Sequence, residues 1–288
     1  MNTRLNRRTY TCARRDRDAT DRTRLPTSNN RHHPCLRHST AASAAKYLLA
    51  LAVCLAIAAS NSIALAQPKI AVEIPPEVAS YASALDALKQ SGGQQPIEPI
   101  FEAGIQAAPP IQAVLPELSE SQFQQVRHQM QGFELGRSET IFVRPNVGYF
   151  KNLSRKIGSK ADRAFFDIYE RTEPDANGAF PAYIHQQTDE SGCTRFDGKL
   201  FTDLYRGWLT FRTTYPDAYA LESQGEIDSI ETELRSGICS CENAPKTVAG
   251  LQTFVDAFPD LPITPKIKTR ITQIKTNKSS FRFNCHAG

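Results

Sequence analysis

Gly207-Trp208-Leu209-Thr210-Phe211-Arg212-Thr213-Thr214-Tyr215-Pro216-Asp217 returns 43 residues later as Gly250-Leu251-Gln252-Thr253-Phe254-Val255-Asp256-Ala257-Phe258-Pro259-Asp260. Gly, Thr, Phe, Pro and Asp recur unchanged, while Trp/Leu and Tyr/Phe are like for like. A worn copy 42 residues upstream keeps Phe166, Tyr169 and Pro174-Asp175. Trp208, Phe211 and Tyr215 are three and four apart, so they line one face of a helix. Proline then stops the helix, because its ring clashes with the preceding turn. Asp beside Pro favours a turn and is expected to cap the following helix. The second helix folds back over the aromatic face. The expected fold is all-α: helical hairpin repeats, as a short solenoid or compact bundle, stapled by two disulfides.

The helices on either side follow from caps and periodicity. Helices are expected at about 198–214, 218–236, 246–257 and 262–277, the last with Ile263, Ile267, Ile271 and Ile274 on one face. Upstream, Ser119 and Gln122 form a capping-box pattern, and Phe123, Val126, Met130 and Phe133 predict a helix stopped by Gly136. Ile141-Phe142-Val143 reads as extended. Asn146 is expected to cap one helix, and Ser159 with Asp162 the next.

The remainder divides by composition. Residues 1–66 carry 11 Lys and Arg against 3 Asp, whereas 67–288 carry 23 against 27 acids. Lys46, the apolar run 47–59, and Ala64-Leu65-Ala66 read as a signal peptide cleaved before Gln67. The run is short for a membrane span, which needs roughly 20 residues. An uncleaved anchor and a lipoprotein at Cys54 are the alternatives. The Arg-rich residues 1–45 suit a translation start set too far upstream, or a transit peptide. Residues 67–118 hold eight prolines and read as a Pro-rich, largely disordered tether with one helix at 76–89. The helical domain is then 119–288. The acidic balance of residues 67–288 argues against nucleic acid as a partner.

Four cysteines follow the cleavage site: Cys193, Cys239, Cys241 and Cys285. An even number in an exported chain points to two disulfides. Cys193 precedes one helix of a hairpin and Cys239/Cys241 follow its return helix, so these ends meet. Cys193 is expected to pair with Cys239 or Cys241, and Cys285 with the other. A four-cysteine metal site, with or without His286, is the competing reading, but Cys-x-Cys is not the usual zinc spacing.

The segment 183–195 is the densest polar stretch, and His185, Gln187, Asp189 and Arg195 are its candidate binding residues. A catalytic version makes His185 a general base oriented by Asp189. No nucleophile, phosphate-loop, metal or cofactor motif accompanies them. His128 falls on the polar side of its helix. Lys266, Lys268, Arg270 and Lys275 predict a cationic helix face for weak contact with an anionic surface.

Phe211/Tyr215-Pro216 and Phe254/Phe258-Pro259 make residues 198–277 resemble the tetratricopeptide-type repeats of bacterial envelope proteins, with a period of 43 rather than 34. That resemblance implies a protein- or peptide-binding scaffold. The expected function is therefore a non-enzymatic binding or adaptor protein of the envelope or secretome, periplasmic or secreted and without a membrane span after cleavage. The alternatives are a small hydrolase of envelope polymers, or a secreted enzyme inhibitor, each using the 183–195 loop.

Overall fold

The structure is a computed structural model, and it describes residues 72–92, 95–138, 140–174, 180–188 and 192–285. The expected leader and cleavage site, together with Asp189 and His286, lie outside the described residues. Among the described residues there are nine helices and two small two-stranded sheets. In chain order they are α1 Pro76–Gln90, α2 Glu98–Val114, α3 Glu120–Gln129, β1 Phe133–Arg137, β2 Ile141–Pro145, α4 Val147–Ile157, α5 Lys160–Thr172, β3 Ile184–Gln186, β4 Gly192–Thr194, α6 Gly198–Thr214, α7 Ala220–Ser236, α8 Ala244–Ala257 and α9 Thr264–Lys275. None is long and apolar enough to cross a membrane.

The helical class holds, and the hairpins form as the sequence predicts. α6 packs on α7, α8 on α9, and α6 on α8. Trp208 and Phe254 are fully buried, and Phe211 nearly so. Trp208 donates its indole N–H to Thr172 Oγ1 at 2.9 Å, tying α6 to the end of α5. Helices α5, α6 and α8 end alike: the caps Glu173, Tyr215 and Phe258 sit at φ −123, −133 and −136° with ψ near 70° (70, 67 and 67°). Each precedes a proline, which excludes the helical region for the residue before it. Among the described residues, Asp217 and Asp260 after those prolines cap nothing. The caps of α7 and α9 are Tyr219 and Ile263, neither with a side-chain capping bond.

Ser119 and Ser159 both close full capping boxes, and the Asn146 side chain accepts from Tyr149 N–H. The first of these helices is shorter than expected. α3 stops at Gln129, and residues 133–137 leave as β1 to pair antiparallel with β2. Gly132, at φ 89°, makes the break, and any Cβ there would strike the Tyr149 ring at 2.6 Å.

The expected tether is a correction. Residues from 76 to 118 belong to the folded unit, which begins at Val72. The stripe Ile97, Ile100, Phe101, Gly104, Ala107, Ile111 and Leu115 is buried. The Phe101 ring lies 5.1–6.1 Å from the rings of Phe150, Phe165, Phe166, Tyr169 and Tyr219. The prolines misled because Pro76 and Pro99 sit in the first turns of α1 and α2, where proline is favoured, and because α2 continues through Pro109 and Pro110 despite them.

A buried polar node joins these parts. Asp162 accepts from Tyr219 O–H at 2.7 Å, Ile97 N–H at 3.3 Å and Ser159 N–H at 2.7 Å. Tyr219 stacks on Phe165 at 3.7 Å and donates its backbone N–H to Glu98. It does so from a left-handed backbone, φ 48°, that a large side chain rarely adopts. Burial raises both the Tyr219 phenol and the Glu98 carboxyl above their ordinary pKa values, although the Tyr219 N–H opposes the shift at Glu98.

Candidate functional site

The 183–195 segment forms a hairpin built into a larger lattice. Its roots are apolar: Tyr183 and Phe196 are buried, with their rings 4.9 and 5.9 Å from Phe201 of α6. Between them β3 and β4 pair in the register Ile184↔Thr194, His185↔Cys193 and Gln186↔Gly192. On its other side β4 meets the chain after α7. Thr194 N–H donates to Cys239 O, and Cys241 N–H to Thr194 O, both at 3.0 Å. That segment in turn meets the C-terminal stretch through Arg282 N–H to Ile238 O at 3.0 Å and Ser240 N–H to Arg282 O at 2.9 Å.

Both disulfides lie in this lattice. Cys193 pairs with Cys241, and Cys239 with Cys285, closing sequence separations of 48 and 46 residues. The pairing expected from the hairpin ends holds, and it resolves which of Cys239 and Cys241 each partner takes. All four thiols are consumed, which removes the four-cysteine metal site.

The two faces of the lattice differ. Thr194, Ser240 and Phe281 point inward and are buried, while His185, Arg195 and Arg282 are exposed. On the inner side the Thr194 hydroxyl donates to Glu233, and Ser240 Oγ lies 2.8 Å from Thr247 Oγ1 and 3.0 Å from Glu242 Oε2. Burial pushes the Glu233 carboxyl above its ordinary pKa, against the opposing pull of Thr194 and Arg270.

The candidate residues take separate roles. His185 and Arg195 meet on the outer face, with Arg195 Nη2 2.9 Å from His185 Nδ1. A guanidinium only donates, so Nδ1 accepts and the imidazole proton sits on Nε2, facing away. The position that catalysis assigns to Asp189 is thus filled by Arg195. Gln187 turns back into the lattice, donating to Cys285 O and to Cys193 Sγ at 3.3 Å. Its role is to hold the hairpin on the disulfides.

Arg270 requires a correction. It is 5 % exposed and unavailable to an outside surface. Its guanidinium donates to the last carbonyls of α7, Glu233 O at 2.8 Å, Leu234 O at 2.5 Å and Gly237 O. The rings of Phe196 and Phe281 flank it at 5.2 and 4.6 Å. Burial lowers its pKa to about 10. Lys266, Lys268 and Lys275 are exposed as expected.

Sequence reasoning missed the open edge of the lattice. Because Thr194 spends its backbone groups on residues 239 and 241, Cys193 and Arg195 are the β4 residues that face β3. His185 therefore faces β4, and the backbone N–H and C=O of Gln186 point outward, without a partner among the described residues. The alternation Phe281-Arg282-Phe283-Asn284 signals an extended segment beside the last cysteine, and it was the cue to the lattice. Apart from this site, His128 lines an open cavity of about 450 Å³ with Gln124, Arg127 and Gln131 at the end of α3.

No family model, curated protein or solved structure matches the chain. The resemblance to tetratricopeptide-type repeats rests on the residues quoted for it.

Proposed function

We propose that this is an exported, non-enzymatic binding protein, periplasmic or secreted, that takes an extended segment of a protein partner along the edge of β3. The observation that carries the reading is the outward-facing backbone of Gln186 at the end of β3, on a hairpin held in a lattice closed by two disulfides, with Ile184 N–H already engaged by Pro181 O. Disulfides persist in oxidising compartments, which favours export, and the leader supplies the signal peptide for it. An open edge offers backbone hydrogen bonds to an added strand, while neighbouring side chains give selectivity. His185 and Arg195 supply that selectivity beside Gln186, and Asp189 is the remaining member of the candidate set. The hairpin array behind them, read as a short repeat, acts as the rigid support.

Gln186→Pro tests the reading. Proline removes the outward N–H but none of the bonds to β4, and sheet edges tolerate it. Wild-type protein should retain a partner from envelope or secretome extract at modest salt, and Gln186→Pro should lose it while keeping its melting temperature. Failure of the wild type to retain any partner, or equal retention by the variant, would sink the proposal.

A further inference from the structure

The charge of the folded unit is divided along the chain. Residues 72–234 carry 14 Lys and Arg against 24 Asp and Glu, while residues 235–285 carry 8 against 3, with no acid after Asp260. The basic excess collects on α9 and the C-terminal segment that follows it. Lys266, Lys268, Lys275, Lys278 and Arg282 are all exposed. None of their side chains has an ion pair or hydrogen bond among the described residues.

Local stability does not account for this placement. Cations near a helix C-terminus complement the macrodipole, which covers Lys275 and Lys278. Lys266 and Lys268 lie in the first two turns of α9, where the dipole opposes positive charge, and that first turn has no acid. A membrane-inserting helix is also excluded as their reason. The apolar stripe Ile263, Ile267, Ile271 and Ile274 is buried, and no large exposed hydrophobic side chain lies on α9. An interfacial helix has to present that stripe to the acyl chains.

What α9 presents is a ridge of threonines between lysines. Thr269, Thr272 and Thr276 are exposed, and each donates its hydroxyl to the carbonyl four residues earlier, leaving the oxygen's acceptor side to solvent. Lys268 and Lys275, seven residues apart, stack on one flank about 10 Å apart along the axis, with Lys266 on the other flank. A hydrated, hydroxylated and cationic strip of this length suits a linear polymer bearing repeated carboxylates.

We propose that the outer face of α9, with Lys266, Lys268, Lys275 and Lys278, is a docking face for an acidic polysaccharide. It acts independently of the β3 edge, and it anchors the protein by charge without insertion.

The test uses the full chain in oxidised form and immobilised polygalacturonate, with neutral dextran as control. Parallel samples are offered vesicles of phosphatidylcholine and phosphatidylglycerol. Wild type should bind polygalacturonate, lose affinity as salt rises, and ignore dextran. At about fivefold per lysine, K266Q/K268Q/K275Q should bind roughly a hundredfold more weakly. K89Q/K160Q/K199Q, which removes equal charge from exposed lysines elsewhere, should bind as wild type does. Absence of binding by wild type, equal loss in both variants, retention by the α9 variant, or binding to vesicles in preference to polygalacturonate overturns the proposal.

Discussion

Replacing Arg270 by alanine should be among the most damaging single substitutions available in the C-terminal half. The side chain is 5 % exposed, and its guanidinium closes the end of α7 by binding the backbone carbonyls of Glu233, Leu234 and Gly237. Hydrogen bonds from a charged donor contribute about 1.5–3 kcal/mol each, and three on one group do not add in full. The two flanking rings contribute about 1 kcal/mol more through cation–π contact. Removal also leaves the buried Glu233 carboxylate without its nearest compensating charge. Breaking such an arrangement costs about 3–5 kcal/mol. In a unit of this size that is a fall in melting temperature of about 10 °C. Arg270→Lys keeps the charge but loses the planar fork, and should cost about 1–3 kcal/mol. The assay is urea unfolding of oxidised protein followed by tryptophan fluorescence, since Trp208 is the sole tryptophan. Lys268→Ala and Lys275→Ala, on the same helix, should stay within about 0.5 kcal/mol. If Arg270→Ala did so too, the argument that Arg270 is a helix clamp would be refuted.

Other expectations follow from the same contacts. Tyr219→Phe removes the hydroxyl that Asp162 accepts and should cost about 1–3 kcal/mol in urea, because a buried carboxylate loses a donor. Glu233 has a folded pKa above the unfolded value, so the stability its proton contributes is complete below 4.5 and lost as the pH rises through the folded pKa. Glu233→Gln should therefore match wild type in acid and gain on it toward neutral pH, and melting curves at pH 4 to 8 check this order. Closing loops of 48 and 46 residues stabilises by about 4 kcal/mol each in the chain-entropy picture. Cys193→Ser with Cys241→Ser should therefore lower the urea midpoint strongly while leaving Cys239–Cys285 intact.

The chain from Ser119 onward was largely legible because its signals are local. Pro216 and Pro259 end helices by steric exclusion, and the capping boxes at Ser119 and Ser159 satisfy backbone groups within four residues. Those helix ends placed the four cysteines in two neighbouring pairs. Residues 76–118 were misread because proline content was given more weight than the stripe Ile97, Ile100, Phe101, Gly104, whose spacing is helical. Arg270 was misplaced for a different reason. It sits among lysines with no acid nearby in sequence, and its partners are backbone carbonyls 33 to 37 residues away, which leave no mark in composition. The node at Asp162 and Tyr219 is 57 residues apart and equally silent. At the candidate site, residue types flagged His185 and Arg195, but the open edge belongs to backbone atoms of Gln186, and only strand pairing identifies it.

The measurement that tests the account most directly is disulfide mapping of the protein recovered from the extracytoplasmic fraction, by partial reduction and fragmentation mass spectrometry. The account predicts a mature chain starting at Gln67 with Cys193 bound to Cys241 and Cys239 to Cys285. Free thiols, a different pairing, or recovery of the chain only from a reducing compartment would contradict it.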